Sequence, residues 1–206
     1  MSQFFAIHPD NPQARLLRKA AAIIEEGGLI VYPTDSGYAL GCKLGNRAAL
    51  ERIRRLRHLD KNHNMTMVCR DLSGLGLYAK VPNAIFRLLK AFTPGAYTFI
   101  LNATSLVPKL MIHPKRKTVG LRIPENNITL LLLECLEAPL MSTTLILPGA
   151  TAPLSEPEAI KDLLGNQIDL IIDGGNCSHE PTTVIDMTGD YPVIIREGKG
   201  DPEPFR

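Results

Sequence analysis

Residues Tyr32–Gly41 read YPTDSGYALG. Leu29, Ile30 and Val31 run into this stretch as a short apolar segment of strand character, and a proline, hydroxyl side chains, an acid and two glycines follow at once. A buried strand that gives way to a polar turn marks a strand-end loop of an open α/β sheet, and ligands in such sheets lie beyond the carboxyl ends of the strands. Thr34 and Ser36 offer hydroxyl donors and acceptors, and Gly37 and Gly41 are read as letting a ligand approach the main chain. Asp35 closes the turn through an Asx-type bond in the blander reading.

The flanking sequence alternates helix and strand. Asn11 and Pro12 signal a helix start, Leu16, Leu17, Ala20, Ala21, Ile23 and Ile24 form its apolar stripe, and Gly27 and Gly28 end it. ALGCKL (39–44) and MTMVC (65–69) read as strands around a helix opened by Asn46, with Ala49, Ile53 and Leu56 turned inward and Arg47, Arg54 and Arg55 displayed outward. A helix over 83–92, the strands AYTFIL and VGLRIP, a helix over 127–137 and the strand LMSTT follow. Ser155 and Glu158 have the spacing of a capping box, and DLIID (169–173), TTVID (182–186) and VIIR (193–196) are late strands. This order gives an α/β protein with an open, mixed sheet in one domain.

The chain has 206 residues, enough for a sizeable core, and ordinary globular composition. No segment approaches the roughly eighteen apolar residues of a membrane span, and MSQFFAIHPD lacks the basic start of a signal peptide, so a soluble cytoplasmic protein is expected. Cys42, Cys69, Cys135 and Cys177 are scattered without metal spacing and read as reduced thiols. The net charge of +2 conceals a division: residues 1–124 hold 19 Lys/Arg against 7 Asp/Glu, whereas residues 125–206 hold 4 against 14. Such a division suits a polyphosphate or nucleic-acid partner, unless folding interleaves the halves.

The common catalytic and nucleotide fingerprints fail. GxxxxGK[ST], GxSxG and HExxH are absent, the histidines show no paired spacing, and GLGLYA (74–79) lacks a following acid to hold a ribose. What remains is a set of strand-end loops: YPTDSGYALG, Pro94–Gly95 before AYTFIL, the hydroxyls of Ser142, Thr143 and Thr144, and Arg196 in REG. Together they describe an anion pocket of dipoles and cations, in which Thr34, Arg122 and Arg196 are expected to share one hollow.

YPTDSGYALGC resembles the YPTDTxYGLGC signature of the YrdC-like family, the threonylcarbamoyl-AMP synthases. TPGAYTFIL is similar to the family's PGPxTxIL, VGLRIP to VxxRxP, LMSTT to the stretch leading into its SxN motif, TTVID to STVxD and REG to RxG, all in the same order. The resemblance is greatest to the YciO branch. It implies a single YrdC-like domain over residues 12–200, an open twisted mixed sheet with helices on both sides. It also implies a reaction in which ATP, threonine and bicarbonate yield threonylcarbamoyl-AMP and pyrophosphate for modifying the adenosine beside the tRNA anticodon. Mg2+ would accompany ATP, and no protein nucleophile or resident metal is called for.

By the same resemblance, Thr34, Ser36, Tyr38, Arg122 and Thr183 would line the substrate site, and Arg57, Thr144 and Arg196 the nucleotide site. The family's concave basic surface would bind double-stranded RNA or tRNA, here through Arg47, Arg54, Arg55, Arg57, Lys115, Arg116 and Lys117. Single residues have plainer readings: Thr34 capping a turn, Arg57 on a solvated helix face, Asp186 anchoring a loop. Two departures bear on activity. Leu59 stands where the family's KxR motif has arginine, with Lys61 and His63 as candidate replacements for that cation, and Ile146 stands where SxN has asparagine. A weak synthase, an RNA-binding relative without the chemistry, and a carbamoyl-adenylate enzyme with another acceptor therefore all remain open.

Overall fold

The computed structural model describes residues 2–60 and 63–206. Strands β1 (Gln3–Ala6), β2 (Ile30–Tyr32), β3 (Ala39–Lys43), β4 (Thr66–Val68), β5 (Ala79–Lys80), β6 (Tyr97–Ala103), β7 (Thr118–Arg122), β8 (Leu140–Thr144), β9 (Leu170–Asp173), β10 (Thr183–Asp186) and β11 (Val193–Arg196) make one mixed sheet. Its order is β1-β9-β2-β3-β8-β4-β7-β6-β10-β11, with β5 pairing β6. Helices α1 (Ala14–Glu25), α2 (Arg47–Arg57), α3 (Leu72–Tyr78), α4 (Asn83–Phe92), α5 (Asn127–Leu136) and α6 (Pro157–Leu164) flank it. The α/β class, the mixed sheet and the helices on both sides are as the sequence implies.

Two cores form because the strands alternate their side chains between faces. On one face, Ala49, Leu50 and Ile53 of α2, Leu75 of α3, Leu89 of α4 and Ile160 and Leu164 of α6 pack on Leu40, Met67, Phe99, Leu121 and Ile185. On the other, Leu17, Ala20, Ala21 and Ile24 of α1 and Ile128, Leu132, Leu133 and Leu136 of α5 cover Ile30, Tyr32, Leu140, Leu170 and Ile172. This second cover stops near β8. Beyond it, β4, β7, β6 and the start of β10 turn Thr66, Thr118, Gly120, Thr98 and Thr182 toward an open hollow.

Several local expectations need correcting. Helix α1 is capped at Gln13, and the Asn11 amide is taken by His8 Nδ1 at 3.2 Å. Helix α6 starts with Pro157 after Glu156 and has no side-chain cap, because Ser155 Oγ instead faces His179 Nε2 at 3.3 Å. GLGLYA falls largely within α3, where the Asp71 carboxylate accepts the Gly74 amide at 2.8 Å.

The glycines of YPTDSGYALG serve the chain's own packing rather than a ligand. Gly37 has φ +123°, and a Cβ there would lie 2.7 Å from Pro153 Cβ. At Gly41 a Cβ would lie 2.7 Å from Tyr32 Cε1. The fully buried Tyr32 ring crosses Gly41, and its hydroxyl meets Ser142 Oγ at 2.6 Å. Burial pushes this phenol up to about 12, so it stays protonated. Gly41→Ala should therefore overpack the sheet and lower stability by about 1–3 kcal/mol, read as a reduced denaturant midpoint.

Candidate functional site

The open part of the sheet face is a hollow of about 320 Å3, within the range of small-ligand sites. Four guanidinium groups reach it: Arg57 from the end of α2, Arg116 from the turn before β7, Arg122 from the end of β7 and Arg196 from β11. The hydroxyl-bearing residues Thr66, Thr98, Thr118, Ser142, Thr143, Thr144 and Thr182 also line it, and no Asp or Glu lies among the described lining residues.

Each arginine is held by neighbouring groups. Arg57 Nε donates to the Ile146 carbonyl at 2.9 Å and Nη1 to Thr143 Oγ1 at 2.6 Å. Arg196 donates through Nη2 to the Thr182 carbonyl at 2.8 Å and to Thr182 Oγ1 at 3.2 Å, while Thr182 Oγ1 meets Thr98 Oγ1 at 2.9 Å. Arg116 reaches Asp186 Oδ2 at 3.5 Å, and its turn is fixed by its amide donating to His113 Nδ1 at 3.1 Å. Arg122 forms a buried ion pair with Asp35, whose other oxygen accepts the Glu125 amide at 3.1 Å. The Arg122 Nε atom is buried without a partner among the described residues. Desolvation lowers the pKa of Arg57, and desolvation followed by the charge of Arg122 lowers that of Arg196. Burial is the leading cause at both, and the Arg122 contribution shows like charges facing each other across the hollow.

Of the substrate and nucleotide candidates, the structure brings Arg57, Arg122, Thr144 and Arg196 together and leaves Thr34, Ser36, Tyr38 and Thr183 outside the lining. Thr34 is buried in its own turn, donating to the Gly37 carbonyl and accepting the Ser36 amide at 3.2 Å. Ser36 Oγ lies 3.3 Å from Thr34 Oγ1. The Tyr38 hydroxyl donates to the Gly175 carbonyl at 2.7 Å and accepts the Gly174 amide at 3.1 Å, so both of its roles are filled within the chain. Thr183 is fully buried, donating to the Gly200 carbonyl and accepting the Gly198 amide at 3.0 Å. Of the expected trio, Arg122 and Arg196 share the hollow and Thr34 lies outside its lining. Its neighbour Asp35 is the link between that loop and the site.

Among the residues chosen for RNA, Arg57 and Arg116 line the hollow, and Lys115 and Lys117 are exposed beside Arg116. Arg47 and Arg55 are exposed on α2, whereas Arg54 pairs with Glu51 at 2.7 Å. Lys61 lies outside the described residues. His63 lines the hollow, 3.4 Å from Thr143 Oγ1, and burial, then Arg57, lowers its pKa. Sequence reasoning missed Thr66, Thr98, Thr118 and Thr182 as one surface. Their signal was present as alternate positions in neighbouring strands, which becomes a surface only once the strand order is known.

Comparison with known proteins fits this geometry. A family model for Sua5, YciO and YrdC proteins, described as "Telomere recombination", matches residues 22–198. YciO of Escherichia coli (strain K12) is 57% identical over 205 residues, covering 100% of both chains. The crystal structure of E. coli YciO gives a TM-score of 0.96 over 100% of both chains. The crystal structure of P. abyssi Sua5 complexed with L-threonine gives a TM-score of 0.90 at 27% identity, over 98% of this chain and 59% of that one. Threonylcarbamoyl-AMP synthase of Pyrococcus abyssi (strain GE5 / Orsay) is 32% identical over 184 residues, 88% of this chain and 54% of the synthase, so this chain spans about half its length. Among the described residues, no helix is long and apolar enough to cross a membrane, and no group of three or more His, Cys, Asp or Glu is arranged to hold a metal ion.

Two outcomes follow from the site. Asp35→Ala leaves the buried Arg122 charge unpaired and should cost about 3–5 kcal/mol in denaturant melts. For His63, the folded pKa lies below the unfolded value. Above about pH 6.5 the group is neutral in both states and contributes no slope; as pH falls below that, the unfolded chain takes up the proton first and stability drops. His63→Gln should flatten the loss of stability between pH 7.5 and 5.5 relative to the parent protein.

Proposed function

The chain belongs to the Sua5/YciO/YrdC family, and we propose that it binds ATP and threonine, with the triphosphate in the guanidinium-lined hollow, and forms threonylcarbamoyl-AMP slowly. The observation that carries this reading is the convergence of Arg57, Arg116, Arg122 and Arg196 on a hydroxyl wall with no carboxylate among its described lining residues. Guanidinium groups match phosphate oxygens through paired hydrogen bonds, and desolvation before binding strengthens those bonds.

In the proposed chemistry, the threonine amine adds to bicarbonate-derived carbon to give a carbamate and water. A carbamate oxygen then attacks the α-phosphorus, and the bond to pyrophosphate breaks. The protein's part is to hold the reactants in line and place positive charge over the developing negative charge. The wall offers hydroxyls but no carboxylate, so Mg2+ would enter on the triphosphate, neutralising part of its charge. Ile146 and Leu59 supply no donor where the family motifs carry asparagine and arginine, and the rate is correspondingly low.

A second activity is supported by one feature. Lys115, Arg116 and Lys117 form an exposed basic turn at the rim of the hollow, and no acid occurs between Asp71 and Glu125. Double-stranded RNA or tRNA would be held there through phosphates and 2′-hydroxyls, with strong salt dependence.

Thermal melts with ATP, threonine and both test the pocket. Saturation near 100 times the dissociation constant should add about 2.7 kcal/mol, and Arg57→Ala should abolish the response to ATP. With radiolabelled threonine, ATP and bicarbonate, Ile146→Asn should raise product formation about ten-fold or more above a low but measurable rate. No shift with any ligand, together with no product above a boiled control, would end this reading. Tandem Lys115→Ala and Lys117→Ala changes should weaken tRNA binding and shallow its salt dependence, and tRNA retention that ignores salt would remove the second activity.

A further inference from the structure

Strands β10 and β11 do not pair in simple register. Asp186 lies opposite Val193 and Ile185 opposite Ile194, yet Val184 lies opposite Arg196, which makes Ile195 an extra residue on β11. Cross-strand partners share a face of a sheet. Ile185 and Ile194 face the apolar core, whereas Val184 faces the hollow. Without the extra residue, Ile195 would sit opposite Val184, and Arg196 would fall opposite Thr183, whose side chain is fully buried. The bulge returns Arg196 to the hollow and leaves Ile195 on the same wall. Bulges re-aim side chains in this way, often beside binding sites.

Ile195 is 55% exposed, although it is large and apolar. It shares the lining of the hollow with the apolar Val184, Ile100 and Met111 and with the cationic Arg196 and Arg122. The lining thus contains two chemistries, apolar and cationic. A nucleotide has the same division, with an anionic phosphate chain at one end and a flat ring of low polarity at the other.

We infer that Ile195 is a specificity-determining residue: it is the shelf against which the base of a bound nucleotide lies, while Arg196 takes a phosphate. One inserted residue in β11 supplies both contacts. This rests on the nucleotide reading above and adds to it the part of the wall that reads the base.

Calorimetric titration with ATP and with inorganic tripolyphosphate, which carries the anion without the base, separates the two ideas. The parent protein should bind both. Ile195→Ala should weaken ATP roughly ten-fold, the scale of a lost apolar contact, and leave tripolyphosphate within about two-fold. Ile195→Ser, of similar small size but polar, should behave like the alanine variant, and thermal melts should show both folded. Equal weakening of both ligands, or of neither, overturns the assignment of Ile195 and leaves the nucleotide reading standing. A parent protein that binds neither ligand overturns the nucleotide reading and the shelf with it.

Discussion

The buried pair of Asp35 and Arg122 is the constraint on which the site depends. Their side chains are only 8% and 7% exposed, and two charges taken that far from water are tolerated only when their hydrogen-bonding capacity is largely used. The Asp35 carboxylate meets that condition through Arg122 at the end of β7 and the Glu125 amide beyond it, and Lys199 donates separately to the Asp35 main-chain carbonyl. Arg122 is less completely used. Its Nε is buried and unpartnered among the described residues, and its charge adds to burial in lowering the pKa of Arg196. The pair therefore fixes the loop while leaving the guanidinium side of the hollow in need of an anion.

The hollow exists because the sheet changes character halfway across. Where α1 and α5 lie, the strands present Ile30, Leu140, Leu170 and Ile172, which need cover. Further along, the same face presents threonines and Gly120, whose small or hydroxylated surfaces can remain wet. Ion pairs run both between and within the two parts of the sequence. Among the described ion pairs, Arg52–Asp169 and Arg116–Asp186 join the basic and acidic parts of the sequence, while Asp35–Arg122, Lys43–Glu25 and Arg206–Glu197 lie within one part.

The long amphipathic elements were legible because their periodicity is local. Helices α1, α2, α4 and α5 occur where their apolar stripes fall, and most strands sit on their apolar runs. Strand β1 was not legible: its four residues gain a partner only in β9, distant in sequence. Helix α3 was hidden by Gly74 and Gly76, poor helix formers. At the site, residue types could be read but not their orientation. TTVID shows two adjacent threonines, and only pairing with β6 decides that Thr182 faces the hollow while Thr183 binds the returning C-terminal segment.

The two departures from the family motifs take on different meanings in the fold. Leu59 follows His58, whose left-handed conformation ends α2, and its amide donates to the Arg54 carbonyl at 2.9 Å. This is a helix stop that favours an apolar residue packed back on the core, as Leu59 is. Ile146 holds Arg57 through its carbonyl, a contact that no side-chain replacement removes. The cations of the hollow thus keep their supports even though two polar side chains have gone. On the proposed reading, affinity and turnover part company here: affinity follows guanidinium groups that remain anchored, whereas rate follows donors aimed at the reacting phosphate, which leucine and isoleucine cannot provide.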